Sequence, residues 1–182
     1  MTINLRTQET AYWIERYELL KSLLADIHNQ DGLWTFHLGD NIAIAELSED
    51  LPIDLRAYLH VFGLDGQIGV SGMAVVGVDL PETHENSDIY QTYYSMEVED
   101  DQQTFGDTGV PISVIQWFAY TASAVDVIGY YKKDNAIRIV GTFLGREMAT
   151  FEEFLCYQLS LHCEEEHSLT KWIEASPSGR LV

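Results

Sequence analysis

An apolar stripe near the start of the chain constrains the fold more than any other feature. Between residues 7 and 29 the large apolar side chains recur at intervals of four and three. They are Trp13, Tyr17, Leu20, Leu24 and Ile27. This spacing keeps them on one face of an α-helix, so the sequence predicts a long amphipathic helix that must bury this face against another layer.

The segment after this helix has the pattern of β-structure. Asp31 and Gly32 break the helix, and alternation of side chains over residues 33–38 then predicts a strand with Trp34 and Phe36 on one face. Gly39 and Asp40 have the composition of a hairpin turn. We therefore predict a second strand over residues 41–46, paired with the first.

A short helix is predicted to follow Pro52, because the fixed φ of proline suits a first helical turn and its missing N–H is not needed there. The helix should end near Gly63 or Gly66. Its apolar face comprises Leu55, Tyr58, Leu59 and Phe62. Residues 67–80 are rich in Val and Gly and predict a strand or hairpin with a break at Gly72.

The second half of the chain is predicted to be mainly β-structure. Asn86 is a candidate cap for a helix, and residues 106–111 form a turn-rich segment. Three β-rich runs follow at 112–120, 125–131 and 136–140, which predicts an antiparallel meander whose last hairpin turns at residues 132–135.

The last predicted element is a long helix. Thr150 and Glu153 have the spacing of a capping box at its start. Its apolar face comprises Phe151, Phe154, Leu155 and Leu159. From residue 168 the chain is interpreted as a tail, although Trp172 and Ile173 are apolar enough to dock on the domain.

Together these elements predict an α+β fold, with a mostly antiparallel sheet and helices packed at one face and at both ends of the chain. We expect one domain over residues 1–182, with an N-terminal helix at 7–29, a core at about 45–160 and a tail at 168–182. An apolar content of 46% and an aromatic content of 12% exclude a disordered chain.

The charge balance limits the class of partner. The 29 acidic and 10 basic residues give a formal net charge of −19. Binding to nucleic acids or to anionic lipids depends on Lys and Arg, so both are excluded as expected partners. A basic protein is the natural complement, although an acidic protein need not have a charged partner at all.

The N-terminal residues resemble no secretory signal, no apolar run is long enough to span a bilayer, and one cysteine pair does not make a disulfide framework. We therefore expect a cytoplasmic protein. Between His162 and His167 there are metal-ligand residue types, but two histidines five apart do not share a helix face, so no metal or other cofactor is expected. No nucleophile or phosphate-loop motif is present, and we expect no catalytic residue.

Two acidic clusters are the candidate partner-binding residues. Like charges placed this close together repel one another, and a basic partner would relieve that repulsion. The first cluster comprises Glu46, Glu49, Asp50 and Asp54, and the second comprises Glu97, Glu99, Asp100 and Asp101. Aromatic residues near the second cluster are candidate anchors, because aromatic side chains contribute more binding energy than charges at the rim of an interface. They are Tyr90, Tyr94 and Phe105. The alternative is that both clusters are only solvated surface.

Several short segments resemble motifs of the SUKH superfamily. Together they extend over about residues 45–160. The first group is Leu51-Pro52-Ile53-Asp54, Tyr58-Leu59 and Gly63-Leu64-Asp65-Gly66. The second group is Gly109-Val110-Pro111-Ile112, Val127-Ile128-Gly129-Tyr130-Tyr131 and Thr150-Phe151-Glu152-Glu153-Phe154-Leu155. The sequence differs from the family pattern at Leu64-Asp65, where Asn-Gly is common, and in the helix and strands before Leu51.

This resemblance implies an immunity protein that neutralises a bacterial toxin, in many cases a nuclease, by forming a stoichiometric complex. An acidic binder suits that role, since a nuclease must present a cationic surface to phosphate. Two alternatives remain open. One is a cytosolic regulatory or scaffold module that binds an endogenous protein, and the other is a metal-dependent or carboxylate-dependent hydrolase. The sequence does not indicate an oligomeric state.

Overall fold

The structure is a computed structural model that describes residues 5–31, 33–64, 66–71, 73–78, 104–105, 110–111, 115–120, 127–133, 136–141, 147–163 and 167–177. Within these ranges the α+β class is confirmed. The helices are α1 (Leu5–Asp31), α2 (Ile53–Phe62), α3 (Phe151–Ser160) and α4 (His167–Glu174), with a 3-10 turn at Ile44–Glu46. None of them has both the length and the apolar character needed to cross a membrane.

The described strands form two antiparallel sheets. The larger sheet has the order β1-β2-β3-β6-β7-β8 and the smaller one pairs β4 with β5. The strands are β1 (Trp34–His37), β2 (Gln67–Val70), β3 (Met73–Val78), β4 (Thr104–Phe105), β5 (Val110–Pro111), β6 (Gln116–Tyr120), β7 (Val127–Lys133) and β8 (Ala136–Gly141). The predicted meander of the last three long strands is confirmed.

The predicted N-terminal helix is confirmed, and all five residues of its apolar stripe are buried. Helix α1 packs against α2 and against β1. At the contact with α2, the rings of Tyr17 and Tyr58 meet edge to face with their centroids 5.5 Å apart. The stripe and the apolar faces of α2 and α3 join sheet residues such as Ile68 and Ile139 in one hydrophobic cluster.

The predicted hairpin at Gly39 is wrong. Residues 41–46 contain no strand, and β1 pairs instead with β2, so that Trp34 lies opposite Val70. Gly39 approaches the end of α2, where its N–H donates to the carbonyl of Phe62 at 2.8 Å. A Cβ atom at Gly39 would lie 1.4 Å from the carbonyl oxygen of Leu64. Close backbone packing, and not a β-turn, therefore requires this glycine.

Helix α2 begins after Pro52 and buries its predicted apolar face. It ends at Gly63, whose φ of 85° is strained for any residue with a side chain. The strands on either side of Gly72 form the predicted hairpin of β2 and β3.

The C-terminal prediction is partly wrong. The capping box is present, since the Thr150 hydroxyl accepts from the Glu153 N–H at 3.1 Å and Glu153 accepts from the Ala149 N–H at 3.0 Å. However, α3 ends at Ser160, and the predicted tail contains α4. Trp172 of α4 is buried as its apolar character suggested. The predicted helix after Asn86 lies outside the described residues, and Val110 and Pro111 belong to a strand although a turn was predicted.

Candidate partner-binding site

The first acidic cluster does not form one continuous surface. Glu46 is exposed, but its carboxylate accepts from the Ala43 N–H at 3.1 Å and so stabilises the 3-10 turn. Asp50 is exposed and forms an ion pair with Lys132 of β7 at 2.6 Å, and this contact lowers the pKa of its carboxyl. Glu49 is exposed, with no ion pair to any described residue. Of these three carboxylates, Glu49 is therefore the one most available to a partner.

The prediction that Asp54 contacts a partner is wrong, because its side chain is only 2% exposed. Asp54 lies in the first turn of α2 and accepts from the Glu152 N–H at the start of α3, at 2.9 Å. Burial raises the pKa of the Asp54 carboxyl to about 6, while hydrogen bonds from backbone N–H groups at both helix starts act in the opposite direction. This carboxylate joins two helix N-termini, where negative charge is favourable.

The second acidic cluster and most of its aromatic neighbours lie outside the described residues. They are Tyr90, Tyr94, Glu97, Glu99, Asp100 and Asp101. The backbone of Phe105 belongs to β4, where it pairs with Val110, and the position of its side chain is not described. The assignment of these residues to a binding surface stays a prediction.

Glu49 lies on a surface groove with a volume of about 630 Å³. The groove is enclosed by the first turns of α1, by the segment before α2 with the first turn of that helix, and by strand β8. Its apolar lining comprises Ala11, Ile14, Leu51, Ile53 and Ile137. Several of these aliphatic side chains are also packed on the hydrophobic core, so the floor of the groove is continuous with that core.

The polar residues that line the groove are two carboxylates, one hydroxyl group and one guanidinium, from Glu9, Glu49, Thr10 and Arg56. Glu9 of α1 and Glu49 are both exposed, and neither forms an ion pair within the described part of the chain. The one cation in the lining, Arg56, donates from its Nη2 atom to the carbonyl of Ile44 at 3.1 Å. An aliphatic floor with two available carboxylates suits a ligand that is both apolar and positively charged.

A buried polar cluster connects helices α1, α3 and α4. Arg16 of α1 donates from Nε to the carboxylate of Glu152 at 2.6 Å and from Nη2 to the carbonyl of Trp172 at 2.9 Å. Its guanidinium also lies 4.0 Å from the centre of the Trp172 ring. The second carboxylate oxygen of Glu152 accepts from the Ser176 hydroxyl at 2.6 Å. The donors around Glu152 thus compensate its burial, and the cluster fixes α4 on α1 and α3.

The cysteines and histidines near the end of the chain do not assemble a reactive centre among the described residues. Both Cys156 and Cys163 are buried free thiols. Burial, together with the neighbouring Glu152 carboxylate, raises the pKa of the Cys156 thiol to about 12, so the thiol stays protonated at neutral pH. His162 is exposed, and in the described ranges no group of three or more His, Cys, Asp or Glu side chains is arranged to hold a metal ion.

Of the residues that line the groove, the sequence singled out only Glu49 as a candidate for partner binding. Glu9 and Ile137 are 128 positions apart in the chain, and only the fold brings them to one surface. The buried Arg16 had a detectable signal, because it lies between Trp13 and Tyr17 on the apolar face of α1, where a charge needs a partner. The identity of that partner, Glu152, could not be read from the pattern.

The chain matches no protein-family model, no curated protein and no solved structure. The choice of a function therefore depends on the residues and contacts described above.

Proposed function

We propose that this protein is a non-catalytic acidic binding protein that neutralises a basic bacterial toxin, of which nucleases are one class, by forming a stoichiometric complex. The SUKH-like motifs suggest this role. One structural observation carries the proposal: Glu9 and Glu49 lie on an aliphatic groove of about 630 Å³, and neither is in an ion pair with a described residue. The groove therefore offers a complementary surface to a basic and partly apolar segment.

Electrostatics supports a basic partner in two ways. The net charge of −19 attracts a cationic protein over a distance of about 8 Å at physiological salt, which raises the association rate. At short range the aliphatic floor can bury apolar groups of the partner, and buried contacts of this kind contribute most of the affinity. A toxin whose cationic surface is covered in this way cannot reach its substrate.

The test uses the full-length protein and the purified product of the neighbouring gene as the candidate toxin. We expect the protein to inhibit the toxin at a one-to-one ratio and to release it as salt is increased. Glu9→Lys or Glu49→Lys should each weaken the complex about tenfold or more, which corresponds to about 1.4 kcal/mol. The reason is that each change places a positive charge against a cationic surface.

Asp26→Lys is the matched control. Asp26 is exposed on α1 and lies 12 residues after Ile14, the last residue of α1 in the groove lining, which places it about 18 Å from the groove along the helix axis. Asp26→Lys changes the net charge by the same amount as each groove variant. Because Asp26 lies outside the groove, this variant should bind the toxin about as tightly as the wild type. Equal loss with all three variants would show that only net charge matters and would contradict a role for the groove. Binding without inhibition would favour a regulatory module instead.

A further inference from the structure

Among the described residues, only a single bridge covers the outer edge of β8 next to the groove. β8 is the last strand of the larger sheet, and β7 pairs with its inner edge. On its outer edge the Ile139 N–H donates to the carbonyl of Met148 at 2.9 Å, and the Met148 N–H donates to the carbonyl of Ile139 at 2.8 Å. After this isolated bridge the chain turns into α3, which begins at Phe151.

The position of Ile137 follows from these two hydrogen bonds. In an antiparallel ladder the N–H and C=O groups of successive residues point alternately to the two sides of the strand. The register between β7 and β8 has no irregularity, so Ile137, two residues before Ile139, has the same orientation. Its N–H and C=O therefore point away from β7, and no described residue forms a hydrogen bond with them there.

The side chain of Ile137 lines the groove, so the open strand edge and the acidic groove are parts of one surface. An open edge of this kind is a template for another strand. Binding by strand addition combines main-chain hydrogen bonds with pockets that select every second side chain. The groove supplies such pockets, because its aliphatic lining and its two carboxylates lie on the same side of the sheet as the Ile137 side chain.

We propose that an extended segment of the partner pairs at one residue with the outward N–H and C=O of Ile137, beside the place where Met148 already occupies the outer edge of β8. This inference rests on the proposed function and names the way in which the same groove is used. Every second side chain of the added segment faces the groove. An aliphatic residue contacts Ile14, Leu51 and Ile53, and a Lys or Arg two positions away reaches Glu9 or Glu49.

A backbone-modified peptide separates strand addition from simple charge attraction. The probe is a capped peptide of sequence Thr-Lys-Thr-Val-Thr-Lys-Thr, titrated up to about 1 mM into the full-length protein, a concentration that detects dissociation constants up to about 1 mM. In the added strand the Lys and Val side chains face the groove, and the N–H groups of these same residues face β8. N-methylation of Val therefore blocks its pairing with Ile137, whereas N-methylation of the preceding Thr leaves that pairing intact and serves as the matched control.

Strand addition predicts that the unmodified and Thr-methylated peptides shift the Ile137 amide resonance and protect it from hydrogen exchange. The peptide methylated at Val should bind at least about tenfold more weakly. If all three peptides bind equally and Glu49→Lys weakens them all, strand addition is rejected while the groove remains a site for basic segments. If no peptide binds, or if neither methylation nor Glu49→Lys changes the affinity of the peptide, both the strand addition and the proposed use of the groove are rejected.

Discussion

At the scale of single residues, Asp54 is a carboxyl group that joins the starts of two helices. It belongs to an acidic run, which predicted exposure, yet it is buried where the first turns of α2 and α3 meet. Negative charge is stabilising at a helix N-terminus, and here one carboxylate serves two of them. Desolvation nevertheless outweighs these contacts and raises the pKa of the Asp54 carboxyl to about 6, so the stability of the protein should depend on pH between about 4 and 6.

The pH dependence of stability should reveal this carboxyl group. Its pKa in the folded protein, about 6, is above the usual value of 3.8, so the folded state binds the proton more tightly than the unfolded state. The stabilisation that results is fully present below about pH 4 and is lost as the pH rises through 6. The free energy of unfolding of the wild type, relative to Asp54→Asn, should fall by about 1–3 kcal/mol between those limits. Urea denaturation at several pH values measures this, and parallel profiles for the two proteins would contradict it.

The contact between Arg16 and Glu152 supplies a second prediction at this scale. Glu152→Gln removes the negative charge but keeps the size of the side chain, so it leaves the buried Arg16 without a counter-ion. We expect a loss of about 3–5 kcal/mol in the free energy of unfolding. Glu174→Gln on the exposed surface of α4 is the control and should change it by less than about 0.5 kcal/mol. A small effect of Glu152→Gln would show that Arg16 is solvated.

At the scale of elements, local patterns predicted the helices better than the strand pairing. The stripe of α1, the proline before α2 and the capping box of α3 are each contained within a few turns, so the sequence alone indicates them. Strand pairing cannot be predicted from such local patterns, because β1 pairs with β2 although helix α2 lies between them in the chain. The glycine at position 39 looked like a turn residue, although it is needed for a contact with residues about 25 positions later.

The outer edge of β8 predicts different rates of amide hydrogen exchange for two residues of the same strand. The N–H groups of Ile137 and Ile139 point outward, but only that of Ile139 is bonded, to Met148. In the free protein the Ile137 amide should therefore exchange with solvent at least about a hundredfold faster, since exchange reports the opening of hydrogen bonds. Amide exchange followed by nuclear magnetic resonance tests this. Equal protection of both amides would mean that the edge is closed.

At the scale of the whole molecule, the groove assembles residues that no local pattern connects. α1 contributes Glu9, the segment before α2 contributes Glu49 and β8 contributes Ile137. The net charge predicts a positively charged partner, and Glu49 is the one groove residue that the sequence singled out as a candidate; both stay predictions. The remaining groove residues depend on how α1 packs beside α2 and on which strand lies at the edge of the sheet, and both are tertiary features.

The central claim is that a basic partner binds in this groove. Hydrogen–deuterium exchange of the full-length protein, alone and in complex with the purified product of the neighbouring gene, tests it most directly. The account predicts new protection at the start of α1 around Glu9, at the segment and helix turn from Glu49 to Arg56, and at Ile137 of β8. Protection that is confined to other surfaces, such as the edge strand β1 or the part of α1 around Asp26, would contradict it.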